Sequence, residues 1–211
     1  MQKISENNTT NIAPVKKGLN IDKDQHVFIA GKTGSGKTTL AMFLLFQQKR
    51  LIIVDSKDGL PDWNTEENSE IQRIKLKEGK PVRIRVVNNA PALELLELAY
   101  QVGDVTIYID EMAALVPPRS KTPQVIYDIL QRGRGRNISV WTSTQRPTLI
   151  PLESMSEATH LFIFRLNLEK DRKTISSNAG IPEPPPVRDQ HGFYYWNDID
   201  SRLRYFKRLS I

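Results

Sequence analysis

The eight residues Gly31-Lys32-Thr33-Gly34-Ser35-Gly36-Lys37-Thr38 constrain the chain more than any other stretch. They read G-x-x-x-x-G-K-T. The apolar run His26-Val27-Phe28-Ile29-Ala30 leads in, and a helical pattern, Thr39-Leu40-Ala41-Met42-Phe43-Leu44-Leu45-Phe46, leads out. Strand, glycine loop and helix in this order form a phosphate-binding loop. Glycines let successive amides turn inward where a side chain would block a phosphate. The helix N-terminus adds partial positive charge at the same point. Gly31, Lys32, Thr33, Gly34, Ser35, Gly36, Lys37 and Thr38 are therefore expected to hold a nucleotide triphosphate. Lys37 should reach the β- and γ-phosphates, and Thr38 should ligate Mg²⁺.

A second stretch belongs with the first. Val105-Thr106-Ile107-Tyr108-Ile109 is a mostly apolar strand that ends in two carboxylates, Asp110 and Glu111. Asp110 is expected to hold Mg²⁺ as a Walker-B Asp does. Adjacent strand residues point to opposite faces. At a strand end the chain turns, however, so Glu111 can also face the γ-phosphate and deprotonate the attacking water.

The remaining segments predict an α/β domain. Leu51-Ile52-Ile53-Val54 suits a parallel strand buried on both faces and ends at Asp55-Ser56-Lys57. Residues 58–80 are polar and irregular, with Gly59, Pro61 and Gly79, and read as an excursion from the sheet. Residues 81–87 alternate apolar and basic, which suggests a strand with one wet face. An amphipathic helix over Ala92–Ala99 follows Pro91 and ends at Gly103. Residues 113–122 read as a proline-stiffened basic loop, and a helix over 124–131 follows Pro123. Strands are expected at 138–145 and 160–165, and a helix near 169–177. A terminal hairpin at about 190–208 carries aromatics read as packing. Residues 1–20, polar and without periodicity, read as a flexible arm before a single domain at 21–211.

Charge and composition narrow the setting. The 211 residues hold 39% hydrophobic residues, no cysteine, and 30 Lys+Arg against 24 Asp+Glu, a net charge of +6. No apolar run approaches the ~20 residues of a membrane span. A reducing, cytoplasmic setting is expected. Basic residues concentrate at Arg119, Lys121, Arg132, Arg134 and Arg136, with Asp128 the one acid among them, which points to a polyanionic partner. Arg119 and Lys121 are candidate contacts to DNA phosphates.

Together with the two motifs above, Gly133-Arg134-Gly135-Arg136-Asn137-Ile138-Ser139-Val140-Trp141-Thr142-Ser143-Thr144-Gln145-Arg146-Pro147 resembles the FtsK–HerA group of ring-shaped DNA-pumping ATPases. The segment is similar to that group's G-R-x-x-G-I-x-x-x-x-x-T-Q-R-P pattern, departing at Asn137, where the group usually has Gly. The resemblance spans roughly residues 25–180. It implies a RecA-like (ASCE) P-loop NTPase fold: a mainly parallel central sheet with helices on both faces. Here the C-terminal hairpin would be added to it. The resemblance also implies that Gln145 senses the γ-phosphate and that Arg134 is an arginine finger given to a neighbour's nucleotide, with Arg136 the rival for that role. A short single-domain chain resembles the genome-packaging ATPases of tailless, membrane-containing double-stranded DNA viruses. That likeness implies ATP and Mg²⁺ as cofactors and double-stranded DNA as partner. It also implies a homo-oligomeric ring of five or six subunits, docking on capsid vertex proteins and work in the host cytoplasm.

Other readings stay open at this point. One is a plasmid-transfer or chromosome-segregation motor of the same group. Another is a small-molecule kinase or a non-translocating assembly ATPase using the same loop. The lack of an Asn-Lys-x-Asp guanine-reading motif argues against a GTPase.

Overall fold

The computed structural model describes residues 19, 21–61 and 63–207. The expected arm, residues 1–20, lies outside them apart from Leu19, as does the chain after Lys207. The elements are β1 (Val27–Ala30), α1 (Lys37–Leu45), β2 (Arg50–Asp55), β3 (Glu66–Glu67), α2 (Glu70–Lys77), β4 (Val82–Val86), α3 (Asn89–Val102) and β5 (Val105–Asp110). Then follow α4 (Met112–Leu115), α5 (Gln124–Arg132), β6 (Ile138–Thr144), α6 (Glu153–Ser156), β7 (His160–Phe164), α7 (Glu169–Ala179), β8 (Phe193–Asn197) and β9 (Arg204–Phe206).

One sheet of nine strands runs β3-β4-β2-β5-β6-β1-β7-β8-β9. Pairings are parallel from β3 to β7, and β8 and β9 are antiparallel. The strand period of two splits each run between the two faces. On β2, Ile52 and Val54 join one core while Leu51 and Ile53 join the other. One face is covered by α1 and Trp63. Residues from α2 to α7 pack on the other face. The expected mainly parallel sheet, with helices on both faces and a terminal hairpin, is present. The hairpin is not a separate appendage: β8 pairs with β7, so it continues the sheet. Its aromatics pack on one another, Phe193 on Phe206 at 5.3 Å and Tyr194 on Tyr205 at 4.9 Å.

Three expectations need correction. Residues 58–80 contain β3 and the helix α2. The apolar stripe of that helix is thin, because Leu76 is buried while Ile71 and Ile74 face outward. Its end signals were nonetheless legible, with Glu70 in the first turn and Lys75 and Lys77 in the last. Residues 113–122 are not wholly loop, because α4 takes Met112–Leu115 and the irregular segment starts at Val116. The basic face of β4 is not simply wet. Arg83 donates to the carbonyls of Gln48, Leu45 and Phe46 and so caps the end of α1, which stops at Leu45. Arg85 pairs with Asp55 at 2.6 Å.

Candidate nucleotide-binding site

The site is built at the C-terminal ends of β1, β6 and β5, where open α/β sheets bind ligands. The loop after β1 packs against the start of the segment after β7. The Gly31 amide donates to Thr144 O at 3.1 Å and the Lys32 amide to Arg165 O at 2.8 Å. A Cβ on Gly31 would stand 2.5 Å from Phe164 Cβ and 2.7 Å from Ser35 Oγ, so only glycine fits there. Gly34 and Gly36 take positive φ, 74° and 105°, which turns the loop back on itself before α1.

Lys37 is buried and its Nζ donates to Gly31 O at 2.7 Å and Lys32 O at 3.2 Å. Burial lowers its pKa, opposed by the carboxylates of Glu111 and Asp110, with Lys57 lowering it further. The two acids thus act on the loop lysine from within the same pocket. Ser35 Oγ is buried without a hydrogen-bond partner among the described residues. A buried, unpaired hydroxyl inside a glycine cradle fits an incoming phosphate oxygen.

Asp110 and Glu111 are adjacent, yet both face this pocket. The reason is local: Glu111 takes a left-handed conformation, φ 61° and ψ 77°, where β5 passes into α4. That conformation is costly for a residue with a Cβ, and such strain concentrates at functional sites. Contacts hold it in place. Glu111 Oε1 accepts from Thr144 Oγ1 at 2.9 Å, and Oε2 accepts from the Gln145 amide at 3.3 Å. Lys57 Nζ stands 3.8 Å from Oε2. Asp110 Oδ1 accepts from Ser143 Oγ at 3.1 Å. No donor reaches its other oxygen among the described residues.

Gln145 directly follows β6, which lies between β5 and β1. Its Oε1 accepts from Thr33 Oγ1 at 2.9 Å, so it already touches the phosphate loop. The residue after it is anchored, because Arg146 Nε pairs with the buried Asp171 at 3.1 Å. Arg134 is elsewhere. It precedes the start of β6, at the opposite end of the sheet, and donates to Glu157 O and to Thr159 Oγ1, the latter at 3.0 Å. Arg136 lies over the Tyr100 ring at 4.6 Å. Asn137 has φ 54°, the left-handed conformation that Gly supplies in the resembling pattern. Arg119 and Lys121 are exposed on the segment after α4, at the same end of the sheet as the phosphate loop.

The residues the motifs did not single out are Thr144, Ser143, Tyr108 and Lys57. Two signals were available: Thr144 precedes Gln145 in the Thr-Gln-Arg-Pro stretch, and Tyr108 shares a strand face with Asp110. A cavity of about 550 Å³ lies away from this site, beside α1 and Trp141. Its lining holds no titratable side chain.

No family model matches the chain. It is 28% identical over 191 residues to the DNA packaging ATPase P9 of Enterobacteria phage PRD1, covering 81% of this chain and 82% of that protein. In fold it matches the genome packaging NTPase B204 of Sulfolobus turreted icosahedral virus 2, solved with AMPPCP. The TM-score is 0.72 at 16% identity, over 90% of this chain and 100% of that one. The cytoplasmic domain of the type VII secretion ATPase EccC of Thermomonospora curvata matches at a TM-score of 0.63 and 13% identity, over 92% of this chain and 25% of that one. The chain has the RecA-like P-loop fold, and it is similar in sequence to one viral packaging ATPase and in fold to another.

Proposed function

We propose that the chain hydrolyses ATP to drive double-stranded DNA into a viral capsid. The observation that carries this is the meeting of Lys37, Asp110, Glu111 and Gln145 at three neighbouring strand ends, in a chain similar to a DNA packaging ATPase. Thr38 and Asp110 would hold Mg²⁺, which when bound offsets negative charge on the β- and γ-phosphates. Hard oxygen donors and one open carboxylate oxygen suit that ion. Among the described residues no group of three or more His, Cys, Asp or Glu could hold a metal, and Mg²⁺ at such sites relies on one or two carboxylates plus phosphates.

The amides of the loop and the Lys37 ammonium bind the triphosphate, with Lys37 exchanging its two loop carbonyls for phosphate oxygens. Glu111, fixed by Thr144 and the Gln145 amide, takes a proton from water as that water's oxygen bonds to the γ-phosphorus. The bond from the γ-phosphorus to the β-bridging oxygen breaks, and ADP and phosphate leave. Gln145 contacts the γ-phosphate and passes its presence to Thr33. Arg134 serves a neighbour. β6 has 7 residues, and at about 3.3 Å each it spans about 23 Å, so Arg134 cannot reach its own loop. A finger role therefore requires a neighbouring copy, which fits the proposed ring of five or six, with residues 21–211 as the working domain. Arg119 and Lys121 grip DNA phosphates. No helix among the described residues is long and apolar enough to cross a membrane, and the proposed place of work is the host cytoplasm at a capsid vertex.

The test is phosphate release by wild type and Glu111→Gln, with and without duplex DNA. Loss of the base is expected to cost about 10²- to 10⁴-fold in turnover, with a nonhydrolysable analogue still bound. Unchanged turnover would remove Glu111 from the role of base, and wild-type turnover indifferent to DNA would remove the motor.

A further inference from the structure

The buried Tyr108 is not used by the chemistry above, yet its hydroxyl sits at the centre of the site. Tyr108 and Asp110 are two apart on β5 and so share a face, the one covered by α1. Tyr108 Oη donates to Asp110 Oδ1 at 2.7 Å. Thr38 lies near enough to lower the pKa of the same hydroxyl slightly, against the stronger upward pushes of burial and Asp110. Ser143 Oγ approaches Tyr108 Oη at 3.4 Å, donates to Asp110 Oδ1 and accepts from the Glu111 amide at 3.3 Å. One tyrosine hydroxyl thus holds the acid of this strand from a position beside the threonine of the phosphate loop. The ring is fixed as well, stacked on Trp63 at 5.2 Å with 12° between planes.

We infer that Tyr108 is a positioning residue that fixes the orientation of the Asp110 carboxylate, so that its free oxygen meets a divalent cation together with Thr38. Both donors on Asp110 go to Oδ1, which leaves Oδ2 without a donor among the described residues. Hydrogen bonds to a metal-binding carboxylate fix its rotamer, and losing one typically costs about 10- to 100-fold in metal affinity. The inference rests on Thr38 and Asp110 being the metal ligands.

The experiment uses Mn²⁺ as the probe. Its affinity is read from loss of the free-ion electron paramagnetic resonance signal, with the full chain saturated by a nonhydrolysable ATP analogue. Analogue binding in EDTA is measured separately. Tyr108→Phe keeps the ring and its stack on Trp63. It should raise the Mn²⁺ Kd about tenfold while leaving analogue binding in EDTA within about twofold. Ser143→Ala, which removes the other donor to Oδ1, should act in the same direction. Asp110→Asn is the reference. If Asp110→Asn leaves Mn²⁺ affinity unchanged, the assignment of the ligands fails, and the inference falls with it. If Asp110→Asn loses Mn²⁺ but Tyr108→Phe does not, the positioning role alone is overturned. Equal weakening of Mn²⁺ and of analogue binding in EDTA would also overturn it, because the tyrosine would then be supporting the pocket generally.

Discussion

Acid should loosen this protein through two histidines, and His26 gives the sharper test. It stands just before β1, fully enclosed, with both ring nitrogens in use. Nε2 donates to Leu130 O at 3.0 Å, and Nδ1 accepts from the Val140 amide at 3.1 Å. Protonation would aim a new N–H at the Val140 N–H and strand a charge in the core. Burial, and then the charge of Arg134, lower its pKa from 6.5 to about 4. His160 is likewise lowered to about 4 by burial. It sits between Tyr195 Oη and Gln25 Oε1, each at 2.8 Å. A folded pKa below the unfolded one means the stability is complete above 6.5 and is lost as pH falls toward 4. Linkage over that window gives a loss of about 2 kcal/mol per histidine between about pH 7.5 and about pH 5, and about 4 kcal/mol for both. That is a large part of the 5–15 kcal/mol of a typical domain. Urea unfolding at the two pH values reads it directly. In His26→Gln the difference between the two pH values should shrink to about 2 kcal/mol, whatever the variant's absolute stability. An unchanged pH dependence would refute the reasoning, because His26 would then titrate alike folded and unfolded.

Arg134→Ala should leave analogue binding intact and cut turnover by about 10³-fold, and mixing it with Glu111→Gln should restore some activity through mixed interfaces. Failure of that rescue would count against a finger given in trans. Reversing Arg119 and Lys121 to glutamate should leave DNA-free hydrolysis unchanged and abolish its stimulation by duplex DNA. Stimulation that persists would reject the segment as a DNA grip. Gly31→Ala forces a methyl group onto Phe164 and Ser35, and overpacking of this kind costs about 1–3 kcal/mol. A lowered Tm together with lost analogue binding is the expected outcome.

The parallel sheet was legible because its strands are continuous apolar runs that end in chemistry-bearing residues: Ala30 before the loop, Ile109 before the two acids, Thr144 before Gln145. The helix α2 was hidden because the edge it covers needs few apolar residues. The two arginines of β4 read as a solvated face because sequence does not show that the end of α1 and the carboxylate of Asp55 lie over them. Asp55 shows why such pairs are invisible beforehand. Burial pushes its pKa up, and the amides of Leu60 and Gly59 with the Arg85 guanidinium more than reverse this, leaving it lowered. The contacts of the site's supporting cast, Tyr108, Ser143, Thr144 and Lys57, were hidden for the same reason, although Thr144 and Tyr108 each left a signal in the sequence. Each acts through a partner on another strand, and only the register of β2, β5 and β6 brings them together.

Both margins of the sheet are blunt. On one side it stops at Glu66–Glu67, two exposed acids, and on the other at three residues beginning with the exposed Arg204. Short, charged borders resist backbone pairing with another chain. Among the described residues, therefore, neither border offers a long ribbon for joining copies into one continuous sheet, and the proposed ring would be stitched by side chains. Such seams would let each subunit of the proposed ring tilt against the next while its own strands stay rigid.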